Sequence, residues 1–236
     1  MSASEICERA TRSLKPSLVF KSDDLFRSER EIEQMLKPYL GDDPVFGRLN
    51  PIEIADFFDA EMLDESRRKI AQVQNELILI VGPGASLLSP KNDLLIHAEI
   101  SRWNLQQLHR QNLIGNLGIS NLQDSPGKKY KRAFFVDWRS ADRLKVQNFS
   151  SIDYLLDLND AILPRMISGD DYRRALNVVA NRPFRVVPFF DPGPWGGQWM
   201  KRTFNLPDKI NYAWCFDCVP EENSLLLGFG DQVVEV

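Results

Sequence analysis

The sequence predicts an α/β protein built on a parallel sheet, followed by a shorter β-rich segment. Over residues 1–180, apolar runs of strand length alternate with stretches of helical period, which is typical of a layered α/β domain. From residue 181 onward, aromatic residues, prolines and glycines replace the helical period. A length of 236 residues with 43% hydrophobic residues suffices for a real core. We therefore expect two domains, 1–180 and 181–236.

Helices are predicted where apolar residues recur every three or four positions. Residues 29–39 have this period and run into a Gly-Asp-Asp-Pro turn. Pro51 is expected to open a second helix through Phe58, because proline fits the first helical turn. Ser101 can cap another helix with its hydroxyl oxygen. Further helices are expected at residues 64–75, 102–111, 137–145 and 172–180.

Strands are predicted from short apolar runs that end in turn residues. Leu77–Val81 is continuously apolar and stops at Gly82, which indicates a strand buried on both faces of a parallel sheet. Similar runs predict strands at residues 93–100, 134–136 and 154–156. In the second part we expect strands at residues 184–190, 212–216, 224–229 and 232–236.

The Gly82-Pro83-Gly84 turn after the apolar run invites comparison with a phosphate-binding loop. Such a loop needs a Lys that reaches the phosphates and backbone N–H groups that surround them. No Lys follows here, and Pro83 removes one N–H donor. The Gly-x-Ser-x-Gly pattern of hydrolases also fails, since Leu88 occupies the closing position. These failures favour a plain turn over a nucleotide site.

Histidine and cysteine are too sparse for a conventional metal cluster. The chain has 2 His, His97 and His109, and 3 Cys. Cys215-Phe216-Asp217-Cys218 supplies two thiolates where structural zinc usually takes four ligands, so small buried side chains are the favoured interpretation. We predict no metal site within this sequence.

Composition also limits the partners and the location. A net charge of −4 argues against nucleic acid. No apolar stretch is long enough to span a membrane, and residues 1–5 lack the basic start and apolar run of a secretory signal, so we expect neither feature. Three cysteines in a chain of this size fit a reducing, cytoplasmic compartment.

Positive charge is concentrated in residues 101–150, which hold nine Lys and Arg against three Asp. Arg and Lys form charge-assisted hydrogen bonds to phosphate, so this segment is a candidate phosphate site. The alternative is a solvated loop that balances acidic helices elsewhere. The candidate phosphate-binding residues are Arg102, Lys128, Lys131, Arg132 and Arg139.

A Trp-Gly-Gly element at Trp195, Gly196 and Gly197 is the most distinctive string in the sequence. Paired glycines permit close backbone approach, and tryptophan supplies a large flat surface. A substrate-binding pocket rim and a turn that closes the core are both consistent with it.

Two strings, residues 182–200 and 211–224, resemble the opening of the isomerase part of class I mannose-6-phosphate isomerase-like proteins. In that family the Trp-Gly-Gly element begins a cupin, a double-stranded jelly roll. Residues 77–88, 102–103 and 130–143 resemble the upstream part of those proteins, which is similar to uridine-kinase-type phosphate-loop kinases. The resemblance implies a kinase-like domain without its phosphate loop, followed by an incomplete cupin.

The resemblance implies carbohydrate metabolism, namely aldose–ketose isomerisation of a sugar phosphate. The family holds zinc through a Gln-x-His-Pro element, a Glu and a later His. Here Gln107-Leu108-His109 is followed by Arg110, and no His follows it. We therefore expect no cofactor within this chain, zinc only in a complete cupin, and little activity of the chain alone.

Two functional hypotheses stay open at this point. One is a mannose-6-phosphate isomerase-like protein whose catalytic metal site lies outside these 236 residues. It would need the remainder of a cupin domain or an oligomeric partner. The other is a non-catalytic phosphate-ligand-binding or regulatory module with a degenerate nucleoside-kinase fold.

Overall fold

The protein has a mixed α/β architecture with small sheets, as the sequence predicts. The computed structural model describes residues 3–181, Thr203, Asn205 and 224–236. The helices are α1 (Ala3–Leu14), α2 (Glu29–Leu40), α3 (Ala60–Gln72), α4 (Arg102–Arg110), α5 (Pro126–Arg132), α6 (Trp138–Asn148) and α7 (Gly169–Ala180). The strands are β1 (Leu18–Lys21), β2 (Ile78–Val81), β3 (Ile96–Glu99), β4 (Tyr154–Asp157), β5 (Arg165–Ser168), β6 (Leu226–Phe229) and β7 (Gln232–Glu235).

The first sheet is a parallel pair, β1 and β2, with Leu18 opposite Ile78. Parallel strands need a crossover connection, which α2 and α3 supply here. Leu25, Phe58 and Leu88 are buried in the core beside this pair. The predicted burial of β2 on both faces is wrong, because each of its residues keeps partial exposure.

The second sheet has the order β3-β4-β5, with β3 and β4 parallel and β5 antiparallel. Leu155 of β4 and Tyr172 of α7 are buried in one core on a face of this sheet. Leu227 and Val234, from the antiparallel hairpin β6–β7, belong to the same core. The described end of the chain is therefore packed against the α/β part.

Helix ends follow local capping chemistry. The Ser28 hydroxyl accepts from the backbone N–H of Glu31, whose carboxylate in turn accepts from the backbone N–H of Ser28, so two N–H donors at the start of α2 are satisfied. Asp59 accepts a 2.9 Å hydrogen bond from the backbone N–H of Met62 and caps α3, which begins four residues before the predicted start at residue 64. Ser101 caps α4, which confirms that prediction.

Two predicted elements are wrong. The expected strand at residues 134–136 is a single π-helical turn that joins α5 to α6, with Val136 buried against α2. Three apolar residues do not distinguish a strand from a helix, and the helices on both sides impose their own geometry. The helix expected from Pro51 is a short 3-10 turn, Ile54–Phe57.

Several predictions concern residues outside those described. The expected strands at 184–190 and 212–216 lie there, as do Trp195, Gly196 and Gly197. Within the described ranges, each helix is too short or too polar to cross a lipid bilayer.

Candidate functional site

Several cations of the basic segment, residues 101–150, are buried in the protein. Lys129 is fully buried, and its ammonium donates to Asn112 Oδ1 at 2.6 Å and to the Leu122 carbonyl at 2.9 Å. Lys131 is also buried and donates to the carbonyl oxygens of Leu40 and Asp43. Burying an ammonium is costly unless its donors are satisfied, and here the Asn112 side-chain oxygen and three backbone carbonyl oxygens accept from the two ammonium groups. Lys129 and Lys131 therefore connect α5 to other segments of the chain and have a structural role.

Arg132 forms a buried ion pair at the start of the π-helical turn. Its Nε lies 3.3 Å from Asp137 Oδ1, and its Nη2 donates to the Leu117 carbonyl. The other oxygen of Asp137 accepts a 2.7 Å hydrogen bond from Asn116 Nδ2. The guanidinium and the carboxylate therefore neutralise each other inside the protein.

Arg102 and Arg139 are brought together by Asp142 of α6. Arg102 Nη2 lies 2.5 Å from Asp142 Oδ1, and Arg139 Nη1 lies 3.9 Å from Asp142 Oδ2. Each guanidinium also lies over an aromatic ring, Arg102 over Trp138 at 5.3 Å and Arg139 over Phe134 at 4.9 Å. Stacking and ion pairing together fix both side chains.

Lys128 alone of the five predicted phosphate ligands is well exposed, at 69% of its side chain. Its ammonium lies 3.0 Å from Asp124 Oδ2, one helical turn earlier. The five residues therefore divide into one exposed residue, Lys128, two buried residues, Lys131 and Arg132, and two residues that pair with Asp142, Arg102 and Arg139. They do not converge on one anion site.

A cleft of about 470 Å³ lies between α4 and the first turn of α5. Its lining consists of Gln106, His109, Arg110, Pro126, Gly127 and Tyr130. Arg110 is exposed, and no hydrogen bond or ion pair to another described residue engages its guanidinium. No described atom lies within 4 Å of the position that a Cβ on Gly127 would take. The guanidinium of Arg110 therefore lines a cleft that has open space beside Gly127.

His109 contributes a neutral imidazole to this cleft. It is 5% exposed, and its Nε2 lies 3.4 Å from the carbonyl oxygen of Gly115. Burial lowers the pKa of His109, although the Gly115 carbonyl and the charge of Asp137 act in the opposite direction. Its Nδ1 is buried, and no atom of the described residues forms a hydrogen bond with it.

Sequence reasoning missed the cleft. Gln106, His109 and Arg110 are spaced i, i+3 and i+4 on a predicted helix, so they share one face. That spacing was available in the sequence. The surface of α5 that faces these residues could not be predicted, because α5 packs against α4 through tertiary contacts that no sequence motif marks.

The glycine turn after β2 is filled by the protein's own side chains. A Cβ on Gly82 would lie 2.3 Å from Ser22 Oγ, and one on Gly84 would lie 2.6 Å from Ile54 Cγ2. Both glycines have positive φ, at +122° and +74°. They are needed here so that the turn can pack against the end of β1 and the 3-10 turn, which leaves no cradle for a phosphate at this point.

A second polar cluster lies where β3 meets α6 and α7. Glu99 Oε2 is 2.8 Å from His97 Nε2 and 2.6 Å from Lys145 Nζ. Burial acts to raise the pKa of Glu99, but the hydrogen bond from His97 and the charge of Lys145 outweigh it and hold that pKa at about 2. Lys145 also interacts with Tyr172. Glu99 is therefore a permanently charged structural anion at neutral pH.

In residues 3–181 and 224–236, no three His, Cys, Asp or Glu side chains gather in a way that fits a metal ion. Cys7 is a buried free thiol. The Cys215 and Cys218 pair lies outside the described residues.

Comparison with known proteins gives one match. A family model described as "Domain of unknown function (DUF8485)" matches residues 1–181. No curated protein and no solved structure matches the chain. The family match ends at the residue where the sequence changes character.

Proposed function

We propose that this chain, which belongs to the DUF8485 family, is a binding module that takes a small phosphorylated ligand in the cleft between α4 and α5. The observation that carries the proposal is Arg110, an exposed guanidinium that lines the cleft without an ionic partner among the described residues. Arg binds phosphate through two parallel hydrogen bonds, which gives both affinity and orientation.

The rest of the cleft supports a small organic phosphate. Tyr130 and Pro126 supply apolar surface, while Gln106 and His109 supply polar groups. Ligand sites typically combine apolar lining with a few placed polar groups in clefts of about 300–1,000 Å³. The cleft volume of about 470 Å³ suits a molecule the size of a sugar phosphate or a mononucleotide.

We also propose a kinase-like ancestry for the α/β part. Two parallel strand pairs joined by helical crossovers support it, as does a glycine turn directly after β2. In such folds the ligand binds beyond the carboxyl ends of the parallel strands. Here Ser22, Ile54 and Phe58 fill the space beside that turn. This crowding supports our proposal that the ligand binds in the α4–α5 cleft instead.

Calorimetric titration tests the binding proposal. We expect heat on adding mannose 6-phosphate or AMP to the full chain, and at least a roughly tenfold loss of affinity in Arg110→Gln, since a charged hydrogen-bond pair is lost. The matched control is Arg9→Gln, which removes the same charge from an exposed position on α1. No heat with either ligand, or equal affinity of Arg110→Gln and the parent chain, contradicts the proposal.

Sugar-phosphate isomerisation is the second candidate function. It is favoured by the similarity of residues 182–200 and 211–224 to class I mannose-6-phosphate isomerase-like proteins, although these residues lie outside those described. The zinc of that family does not fit the described part of the chain, which assembles no set of three metal-ligating side chains. We expect no turnover of mannose 6-phosphate when the chain is supplied with zinc. Turnover would show that the catalytic residues are present after all.

A further inference from the structure

The sheet formed by β3, β4 and β5 has one covered face and one exposed face. Residues that are paired across neighbouring strands lie on the same face. On the covered face, Leu155 is paired with His97 and Ile167 and packs in the core with Tyr172. The alternate residues form the other face, here called the open face: Ile96, Ala98, Tyr154, Leu156, Met166 and Ser168. Of these, Ile96, Tyr154 and Met166 are 45%, 41% and 54% exposed.

The composition of the open face is unusual for a surface in water. Five of its six residues are apolar, whereas the solvent side of a sheet ordinarily carries polar side chains. Parallel strands such as β3 and β4 are moreover usually covered on both faces. Contiguous apolar side chains that remain exposed mark contact surfaces. The open face is therefore a candidate interface.

The charge of the open face decides which partner fits it. In the described strands β3, β4 and β5, the ionisable groups other than the Tyr154 phenol all lie on the covered face: His97, Glu99, Asp157 and Arg165. The open face thus offers no charge by which to recognise an acidic or a basic partner. An uncharged apolar face is instead complementary to itself, since apolar side chains of one copy meet apolar side chains of the other. Sheets pack face to face in this way in many proteins.

We infer that the protein forms a two-fold symmetric dimer, in which the open face packs against the open face of a second copy. Contacts of this isologous kind are the commonest way in which soluble proteins assemble. Tyr154 belongs to the central strand β4, so its ring lies near the middle of the contact, where aromatic side chains contribute most to binding. The inference is independent of the proposed function, because the residues that line the α4–α5 cleft take no part in it.

Sedimentation velocity on the full chain tests for the dimer. From low to high micromolar concentration, the sedimenting species should approach twice the mass of one chain. Met166→Glu and Tyr154→Glu should each raise the dissociation constant of the dimer at least roughly hundredfold, because the two-fold axis places the new carboxylate in the apolar contact twice. Met166→Leu keeps the apolar surface and should keep the dimer. The matched control is Val146→Glu, which adds the same charge at a 75% exposed residue of α6.

The outcomes separate a dimer through the open face from other assemblies. Association that is unchanged in Met166→Glu and Tyr154→Glu shows that the copies meet through another surface, and it overturns the inference. Equal loss of association in Val146→Glu also contradicts it, since added charge alone would then explain the effect. A chain that stays monomeric at every concentration overturns the inference directly.

Hydroxyl-radical footprinting of the unmodified chain does not depend on how the variants fold. Met166 and Tyr154 carry reactive side chains and should become several-fold less reactive as the concentration rises and the dimer forms, whereas Val146 should not change. Reactivity that is high at every concentration leaves the open face to a different partner and contradicts the inference. Reactivity that is low even in dilute monomer shows that the same chain covers this face, and it contradicts the inference equally.

Discussion

Lys131 Nζ donates a 2.5 Å hydrogen bond to the carbonyl oxygen of Leu40, the last residue of α2. The same ammonium donates to the carbonyl of Asp43 in the following loop. The last carbonyls of a helix have no partner within the helix, and a cation is favourable beside them. Lys131 thus caps α2 from 91 residues away.

Replacing Lys131 by Met should destabilise the protein without changing phosphate binding. The variant keeps most of the side-chain volume but leaves two carbonyls unsatisfied, so we expect a loss of about 2–3 kcal/mol in the free energy of unfolding. Urea denaturation measures it. The control Lys128→Met removes the same charge at an exposed position and should change that free energy by less than about 0.5 kcal/mol. Equal losses in the two variants would show that Lys131 is not a structural cation.

Breaking the buried ion pair of Arg132 and Asp137 should lower the free energy of unfolding by more than Lys131→Met does. Asp137→Ala leaves the Arg132 guanidinium inside the protein without its counter-ion and removes one of the two acceptors of Asn116 Nδ2, the other being the Lys129 carbonyl. Removing one partner of a buried pair costs about 3–5 kcal/mol. Urea denaturation should show a loss of this size for Asp137→Ala and almost none for Asp64→Ala, whose ion pair with Arg67 is exposed. A loss below about 1 kcal/mol for Asp137→Ala would contradict the assigned geometry.

The sequence predicts those elements whose pattern is local. The helices at α2 and α6 follow from apolar period, and α4 also from its serine cap. The strands β2 and β4 follow from short apolar runs between turns. Strands β1 and β5 were not predicted, because four-residue segments such as Leu18–Lys21 acquire their strand geometry from a partner far along the chain.

The candidate site was less predictable for the same physical reason. Local charge density marks Lys131 and Arg132 as phosphate ligands, but their acceptors are carbonyls of residues far away in sequence, such as Leu40. Backbone acceptors have no sequence signature. Conversely, Arg110 lies apart in sequence from the dense basic cluster, and within the described part of the chain no hydrogen bond or ion pair engages its guanidinium.

Gly169 should tolerate no side chain. A Cβ built at this first residue of α7 would lie 1.8 Å from the carbonyl oxygen of Ile152, a backbone atom that cannot rotate away. Gly169→Ala should therefore cost at least about 3 kcal/mol by forcing α7 away from the sheet. The control is Gly127→Ala, where the new methyl group meets open space and alanine favours the helix. Thermal unfolding should show a large drop in Tm for the first variant and no drop for the second. Similar Tm values would place α7 farther from Ile152.

Glu99 should make stability depend on acid pH. Its folded pKa of about 2 lies below the ordinary value of 4.5, so its contribution is complete above pH 4.5 and is lost as pH falls towards 2. Across this window the difference in unfolding free energy between the parent chain and Glu99→Gln should shrink by up to about 1.4 kcal/mol per pH unit. Urea denaturation at several pH values measures it, with Glu76→Gln as an exposed control that keeps a constant difference. A constant difference for Glu99→Gln would mean that His97 and Lys145 do not hold the carboxylate in its charged form.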